Sequence, residues 1–124
     1  MPETHLTKCE LEVMNVVWDR GPVTVQDVVA ALERTLAYTT VMTTLKILDT
    51  KRRVVRKTKQ GRAFLYEAAV TREEINRGMA SQLTQTLFGG SAKALVMCLL
   101  EGQSMSPSDI AELKRAIAAV ESEL

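Results

Sequence analysis

The sequence contains clear signals for the starts of its helices, and these N-terminal capping signals limit the fold more than any other feature. Ser or Thr followed three residues later by Asp or Glu is the spacing of a helix N-terminal cap, in which side-chain oxygens accept hydrogen bonds from the first unpaired N–H groups. The spacing recurs at Thr7–Glu10, Thr24–Asp27, Thr71–Glu74 and Ser106–Asp109. We therefore expect helices to begin at these four places.

Apolar residues recur at helical spacing behind the first two caps. Gly21-Pro22 ends the first helix, because Gly suits the C-terminal cap and Pro cannot continue the helix. A stub of strand is compatible with Val23. After a polar bend near 34–37, a third helix is predicted from Thr39 or Thr40 to Lys51, and it buries Val41, Leu45 and Leu48.

The pattern then changes from helical to alternating. Residues 54–59 are rich in β-branched and basic side chains, Gln60-Gly61 is a turn signal, and Phe64 and Tyr66 share one face of the following segment. These features predict a hairpin that packs against the helices, with Phe64 and Tyr66 at its packed root, because a lone hairpin is marginal in water.

Three helices, a hairpin and three more helices predict a mainly α fold with a small β wing. The fourth helix ends at Gly89-Gly90, a short helix spans about 91–100, and the last begins at Ser106. We expect a winged helix-turn-helix domain over residues 1–70 and a three-helix dimerisation extension over residues 71–124.

Positive charge is concentrated between positions 46 and 62, which hold eight Lys or Arg against one Asp. Such a cluster is either a solvated face or a site for an anionic polymer. The outward face of the third helix carries small hydroxyls and one Lys, which suits a helix in the major groove of DNA better than a solvated helix. Capping is an alternative role for Thr39 and Thr40 but not for Thr43, and no role is assigned to Met42.

Basic residues around the Gly61 turn suit contacts to phosphate or the minor groove. The predicted partner is double-stranded DNA. The predicted DNA-binding residues are Thr39, Thr40, Thr43, Lys46, Thr50, Arg52, Arg53, Arg56, Lys57, Lys59 and Arg62.

The three C-terminal helices have too few residues to bury three apolar faces alone, so we expect them to pair with a second chain. The alternative is that the last helix folds back on the N-terminal domain. The predicted homodimer contacts are Ile75, Met79, Leu83, Leu87, Leu95, Leu99, Ile110, Leu113, Ile117 and Val120, and the last four follow a heptad-like seam.

Several function classes are disfavoured. His5 is the single imidazole, and no Cys/His cluster is present, so we expect neither an enzyme nor a metal or cofactor site. The chain lacks a signal peptide and a span of about 20 apolar residues, which predicts a cytoplasmic protein not inserted in a membrane. Cys98 is expected as a buried thiol. Cys9, in a first helical turn, is either half-buried or redox-sensing. A winged helix that binds protein rather than a DNA sequence is the alternative function.

The ordered set of these segments resembles the penicillinase repressor family (BlaI/MecI/CopY). The segments that carry the resemblance cover most of the chain: Leu6–Met14, Val17-Trp18, Thr24–Val28, Ala37–Leu45, Gly61-Arg62 with Tyr66, and Phe88–Ser91. The resemblance implies a homodimeric repressor of inverted-repeat operators, often of the TACA…TGTA kind. It also implies release after a membrane-bound sensor metalloprotease causes cleavage in the dimerisation domain.

This sequence departs from the family at three places. The cleaved Asn-Phe bond of the β-lactam branch aligns here with Cys98-Leu99. The cysteine cluster of the copper-responsive branch is represented by Cys98 alone, which disfavours copper sensing. The family's Lys-Gly after the third helix is Lys51-Arg52-Arg53 here, so either the turn differs or Arg52 accepts backbone strain that Gly avoids.

Overall fold

Residues 5–124, which this computed structural model describes, form six helices and one two-stranded antiparallel sheet. The elements in chain order are α1 (Lys8–Arg20), α2 (Val25–Ala31), α3 (Tyr38–Thr50), β1 (Val55–Gln60), β2 (Ala63–Ala68), α4 (Arg72–Phe88), α5 (Ala92–Gly102) and α6 (Pro107–Ser122).

All four predicted caps are present. Thr7 accepts a hydrogen bond from the Glu10 N–H at 3.2 Å, and the Glu10 carboxylate accepts one from the Thr7 N–H at 3.0 Å. The same reciprocal pair forms at the starts of α2, α4 and α6. These helices begin where predicted because their starts are determined by residues three positions apart.

The start of α3 differs from the prediction. The helix begins at Tyr38 after Ala37, which provides no side-chain cap, and it ends at Thr50 rather than Lys51. Thr39 and Thr40 are therefore inside the first turn, so the capping role considered for them is wrong. An uncapped start leaves no local sequence signal, because Ala cannot accept a hydrogen bond from the helix N–H groups.

The hairpin joins the helices through a third short segment. β1 pairs with β2 from Val55–Ala68 to Gln60–Ala63, and Gly61 makes the turn with φ of +63°. Val23, which follows α1, exchanges two backbone hydrogen bonds with Tyr66 at 2.7 and 2.9 Å. The predicted strand stub at Val23 is thus confirmed, and it fixes the root of the hairpin beside the helices.

The core of this domain lies between α1, α2, α3 and the root of the hairpin. Its fully buried side chains are mainly aliphatic, and Tyr66 is its buried aromatic residue; the core includes Val13, Met14, Val17, Val28, Val41, Leu45, Leu48 and Val54. Trp18 packs against the core, and its indole N–H donates to the Val70 carbonyl at 3.0 Å. Three helices with a hairpin at this place constitute a winged helix.

Phe64 does not pack at the root of the hairpin as predicted. Its side chain is 45% exposed, whereas Tyr66, two residues further along the same face, is buried. The alternating pattern correctly predicted that Phe64 and Tyr66 share a face. The outer half of β2, which carries Phe64, extends beyond the helices that cover its inner half.

The chain divides into two compact units, of which the first ends at Leu83 and the second spans Thr84–Leu124. The first unit includes the start of α4, where Ile75 is buried in the core of the first unit. In the second unit α5 and α6 have no buried residue.

Of the two alternatives for the residues after α3, a different turn or strain at Arg52, the structure shows a turn in which Arg53 has the left-handed backbone. Within the described residues Arg53 is the one non-glycine residue with positive φ, at +59°, and the Val54 N–H after it donates to the Leu48 carbonyl at 2.9 Å. The chain therefore leaves α3 through a left-handed residue that lies one position after Arg52. A side chain in this conformation costs about 1–2 kcal/mol relative to Gly.

Replacing Arg53 by Gly is expected to raise the free energy of unfolding by about 1 kcal/mol, because the relief of strain exceeds the added entropy of the unfolded chain. Urea unfolding measures the change. Arg53→Ala removes the same charge but keeps the strained side chain, so it should not stabilise the protein. Equal stabilities for the two variants would contradict a strained residue 53.

Candidate nucleic-acid interface

A groove of about 640 Å³ lies between α3 and the hairpin. It is lined on one side by α3 and the start of α2, and on the other by both strands of the hairpin. Its lining residues are Thr24, Val25, Gln26, Tyr38, Met42, Thr43, Lys46, Asp49, Thr50, Lys57, Arg62, Ala63, Phe64 and Tyr66.

Five of the predicted DNA-binding residues line this groove together. Thr43, Lys46 and Thr50 lie on α3, and Lys57 and Arg62 lie on the hairpin. All five are exposed. The Thr50 hydroxyl donates to the Lys46 carbonyl at 2.8 Å, so its hydrogen is used within the helix and its oxygen can only accept. Three cationic side chains thus converge on one concave surface with the threonines.

Thr39 and Thr40 are exposed on the first turn of α3 but do not line the groove. The Thr40 carbonyl accepts a hydrogen bond at 2.8 Å from the hydroxyl of Thr44, which is buried. The Cys9 thiol lies 3.8 Å from the same hydroxyl, which places this half-buried cysteine against the inner side of α3.

The basic residues of the hairpin divide between two surroundings. The Lys57 ammonium lies 4.2 Å from the centroid of the Phe64 ring, and that of Lys59 lies 5.9 Å from it. Arg56 instead makes long hydrogen bonds of 3.5 Å to Glu67 and the Ala68 carbonyl. Phe64 therefore holds Lys57 at the edge of the groove through a cation–π contact.

Arg52 has a structural contact that the sequence did not indicate. Its guanidinium donates to the Glu10 carboxylate at 3.2 Å, and the two side chains are 14% and 8% exposed. This ion pair ties the loop after α3 to the start of α1, and the contact of Arg52 with DNA stays a prediction. Arg53 remains exposed beside it.

Tyr66 and Asp49 are two further polar residues of the groove. Burial raises the pKa of the Tyr66 hydroxyl, with smaller contributions from the nearby Asp49 carboxylate and Tyr38. The hydroxyl of Tyr66 therefore stays protonated at neutral pH.

Nine residues that line the groove were not among the predicted DNA-binding residues, and Gln26, Tyr38 and Met42 are three of them. Tyr38 and Met42 lie four residues apart, as Met42 and Lys46 do, and positions four apart share a helix face. That spacing could have placed them beside Lys46 once the helix was known to begin at Tyr38.

The predicted dimer contacts fall into two groups. Ile75 is fully buried and Met79 packs against the same core, so the first unit already covers these two side chains. Ile75 is therefore a core residue here and not one presented to a second chain. Leu95 and Ile110 are half-buried, whereas Leu83, Leu87, Leu99, Leu113, Ile117 and Val120 are exposed.

Within the range of residues 5–124, no group of three His, Cys, Asp or Glu side chains could hold a metal ion. Within it no single helix is long and apolar enough to cross a membrane, although the bent pair of α4 and α5 meets that test when taken together. Cys98 is exposed rather than buried as expected, because it lies on α5, which has no buried face.

Comparison with known proteins identifies relatives along nearly the whole chain. The model of the family described as "Penicillinase repressor" matches residues 6–119. The transcriptional regulator BlaI of Mycobacterium tuberculosis is 37% identical over 122 residues, which are 95% of this chain and 86% of the relative. The penicillinase repressor of Bacillus licheniformis is 26% identical over 111 residues, which cover 88% of this chain and 86% of the relative. A solved structure described as "Mechanism for regulation of DNA binding of Bordetella bronchiseptica BpsR by 6-hydroxynicotinic acid" covers 93% of this chain and 75% of its own, with 17% identity and a TM-score of 0.49.

Proposed function

The chain belongs to the penicillinase repressor family, and we propose that it represses transcription by binding an inverted-repeat operator as a homodimer. The family consists of transcriptional repressors rather than enzymes. The observation that carries the proposal is the groove in which the outer face of α3 and the basic hairpin meet.

The geometry suits a duplex because the two sides of the groove supply different contacts. Thr43 and Lys46 lie on the exposed outer face of α3, and hydroxyl and ammonium groups can hydrogen-bond base edges in a major groove. Lys57 and Arg62 lie on a hairpin that extends beyond the core, where they can reach phosphates. The helix would provide sequence preference and the hairpin affinity.

The dimer is proposed from the second unit. α5 and α6 leave large apolar side chains exposed, and extensive exposed apolar surface is typical of interaction sites. A second copy is the partner we propose, because a twofold dimer presents two α3 helices to two half-sites of an inverted repeat.

Release by a membrane sensor metalloprotease, which the resemblance implies, stays a prediction. The aligned bond between Cys98 and Leu99 lies inside α5, so cleavage there requires α5 to unwind locally. Mass analysis of the chain recovered from induced cells would show whether fragments end at Cys98.

The proposal as a whole is tested by selecting bound sequences from random duplex DNA and titrating salt on the selected sites. Recovery of an inverted repeat that one dimer binds supports the repressor. Weak binding without a preferred sequence would contradict it and favour the alternative, a winged helix that binds protein.

Removing the hairpin cations should weaken binding to every sequence alike. Lys57→Ala and Arg62→Ala are each expected to reduce the slope of log affinity against log salt by about 0.9, the value for one lost phosphate contact. Arg77→Ala removes one charge from α4 outside the groove and should leave the slope unchanged. A slope that falls equally in all three variants would indicate a general charge effect instead.

Removing the Thr43 side chain should change sequence preference more than affinity. Thr43→Ala is expected to lower discrimination at one base pair of each half-site by about fivefold, equivalent to about 1 kcal/mol. Repeating the selection with the variant measures this. An unchanged selected sequence would mean that Thr43 does not contact a base.

A further inference from the structure

Three large apolar side chains are exposed in the groove, although cations surround them. Tyr38, Met42 and Phe64 are 49%, 44% and 45% exposed. Single exposed apolar residues are ordinary on a protein surface. Three in one groove with Lys46, Lys57 and Arg62 imply a ligand that is anionic and also offers an apolar group.

Phe64 already has a contact within the chain. The Lys57 ammonium lies 4.2 Å from its ring centroid, so the exposure of Phe64 is explained by its support of that cation. Tyr38 is the first residue of α3 and carries a polar hydroxyl. Met42 is the wholly apolar member on α3, and it adjoins Thr43 in sequence.

The apolar group that DNA offers in its major groove is the C5-methyl of thymine. Methionine suits contact with it, because an unbranched, polarizable side chain adapts to the position of a single methyl group. Met42 stands four residues before Lys46, so the two lie on one face of α3. The Lys46 ammonium could donate to an acceptor on a base edge, and the Met42 thioether beside it could contact the methyl group of a neighbouring thymine.

We infer that Met42 is a specificity-determining residue that reads the methyl group of a thymine in each half-site. This inference rests on the proposed operator binding. It adds a readout by apolar contact to the hydrogen bonds expected from Thr43 and Lys46.

The test uses the full chain and the operator recovered by selection, with each thymine replaced in turn by deoxyuridine, which lacks only the methyl group. At one thymine of each half-site the unmodified protein should bind the uracil duplex about fourfold more weakly, as expected for loss of one buried methyl. Met42→Ala should bind the thymine and uracil duplexes equally. Met42→Leu keeps an apolar side chain and should restore discrimination; as Met42 is exposed, both variants should fold, which circular dichroism verifies.

Two results would overturn the inference while leaving operator binding intact. The first is that the unmodified protein binds every uracil duplex as tightly as the thymine duplex. The second is a thymine preference that Met42→Ala retains in full; loss of that preference in Tyr38→Ala would then assign the readout to Tyr38. Failure to bind any selected duplex would instead contradict the proposed function.

Discussion

Arg52→Ala is expected to lower the free energy of unfolding by about 3 kcal/mol, the largest effect we predict for a single side chain of the first unit. The Glu10 carboxylate, whose side chain is 8% exposed in the intact pair, would lose its cation. The Thr7 N–H would still donate to it at 3.0 Å, but one backbone donor does not balance a nearly buried charge. The loop after α3 would also lose its attachment to α1.

Urea or thermal unfolding measures this loss, and two further variants isolate its cause. Arg53→Ala removes an equal charge from the next, exposed position and should change stability by less than about 0.5 kcal/mol. Adding Glu10→Gln to Arg52→Ala removes the unpaired charge, so the double variant should be more stable than additivity predicts. Equal costs at positions 52 and 53 would show that the Glu10–Arg52 pair contributes nothing.

The role of Arg52 could not be predicted from the sequence because its partner lies 42 positions away. Glu10 was correctly placed in a capping box, since that interaction joins residues three positions apart. Its second interaction depends on how α1 and the end of α3 pack together. The charge run at 46–62 therefore contained one arginine that supports the fold among those that face solvent.

The same distinction explains the other differences between expectation and structure. Helical spacing correctly predicted that Ile75 faces inward. Spacing does not tell what covers that face, and in the structure the core of the first unit covers it. Strand alternation correctly placed Phe64 and Tyr66 on one face. It does not tell how far along the hairpin the covering helices extend. The groove residues Thr43, Lys46, Lys57 and Arg62 were found because a residue type and a spacing sufficed to place them.

A charge introduced on the apolar seam of α6 is expected to separate the proposed dimer into single chains. Ile117 and Val120 are 56% and 59% exposed, so Ile117→Asp places its carboxylate in water as long as the chain is alone. In a dimer that buries the seam the carboxylate would lose its hydration without gaining a partner. We expect the dimer dissociation constant to rise by at least about 100-fold, equivalent to about 3 kcal/mol.

The affinity of Ile117→Asp for the operator should also fall, because a single chain engages one half-site while the dimer engages two. Sedimentation over a range of concentrations measures the dissociation constant, and binding to full and half operators measures the consequence. Ala119→Asp introduces the same charge on the opposite side of α6 and should leave the dimer intact. If Ile117→Asp remains a dimer at the concentrations where the unmodified chain is one, the seam of α6 is not the interface, and the exposed apolar residues of α5 would then be the surface to substitute.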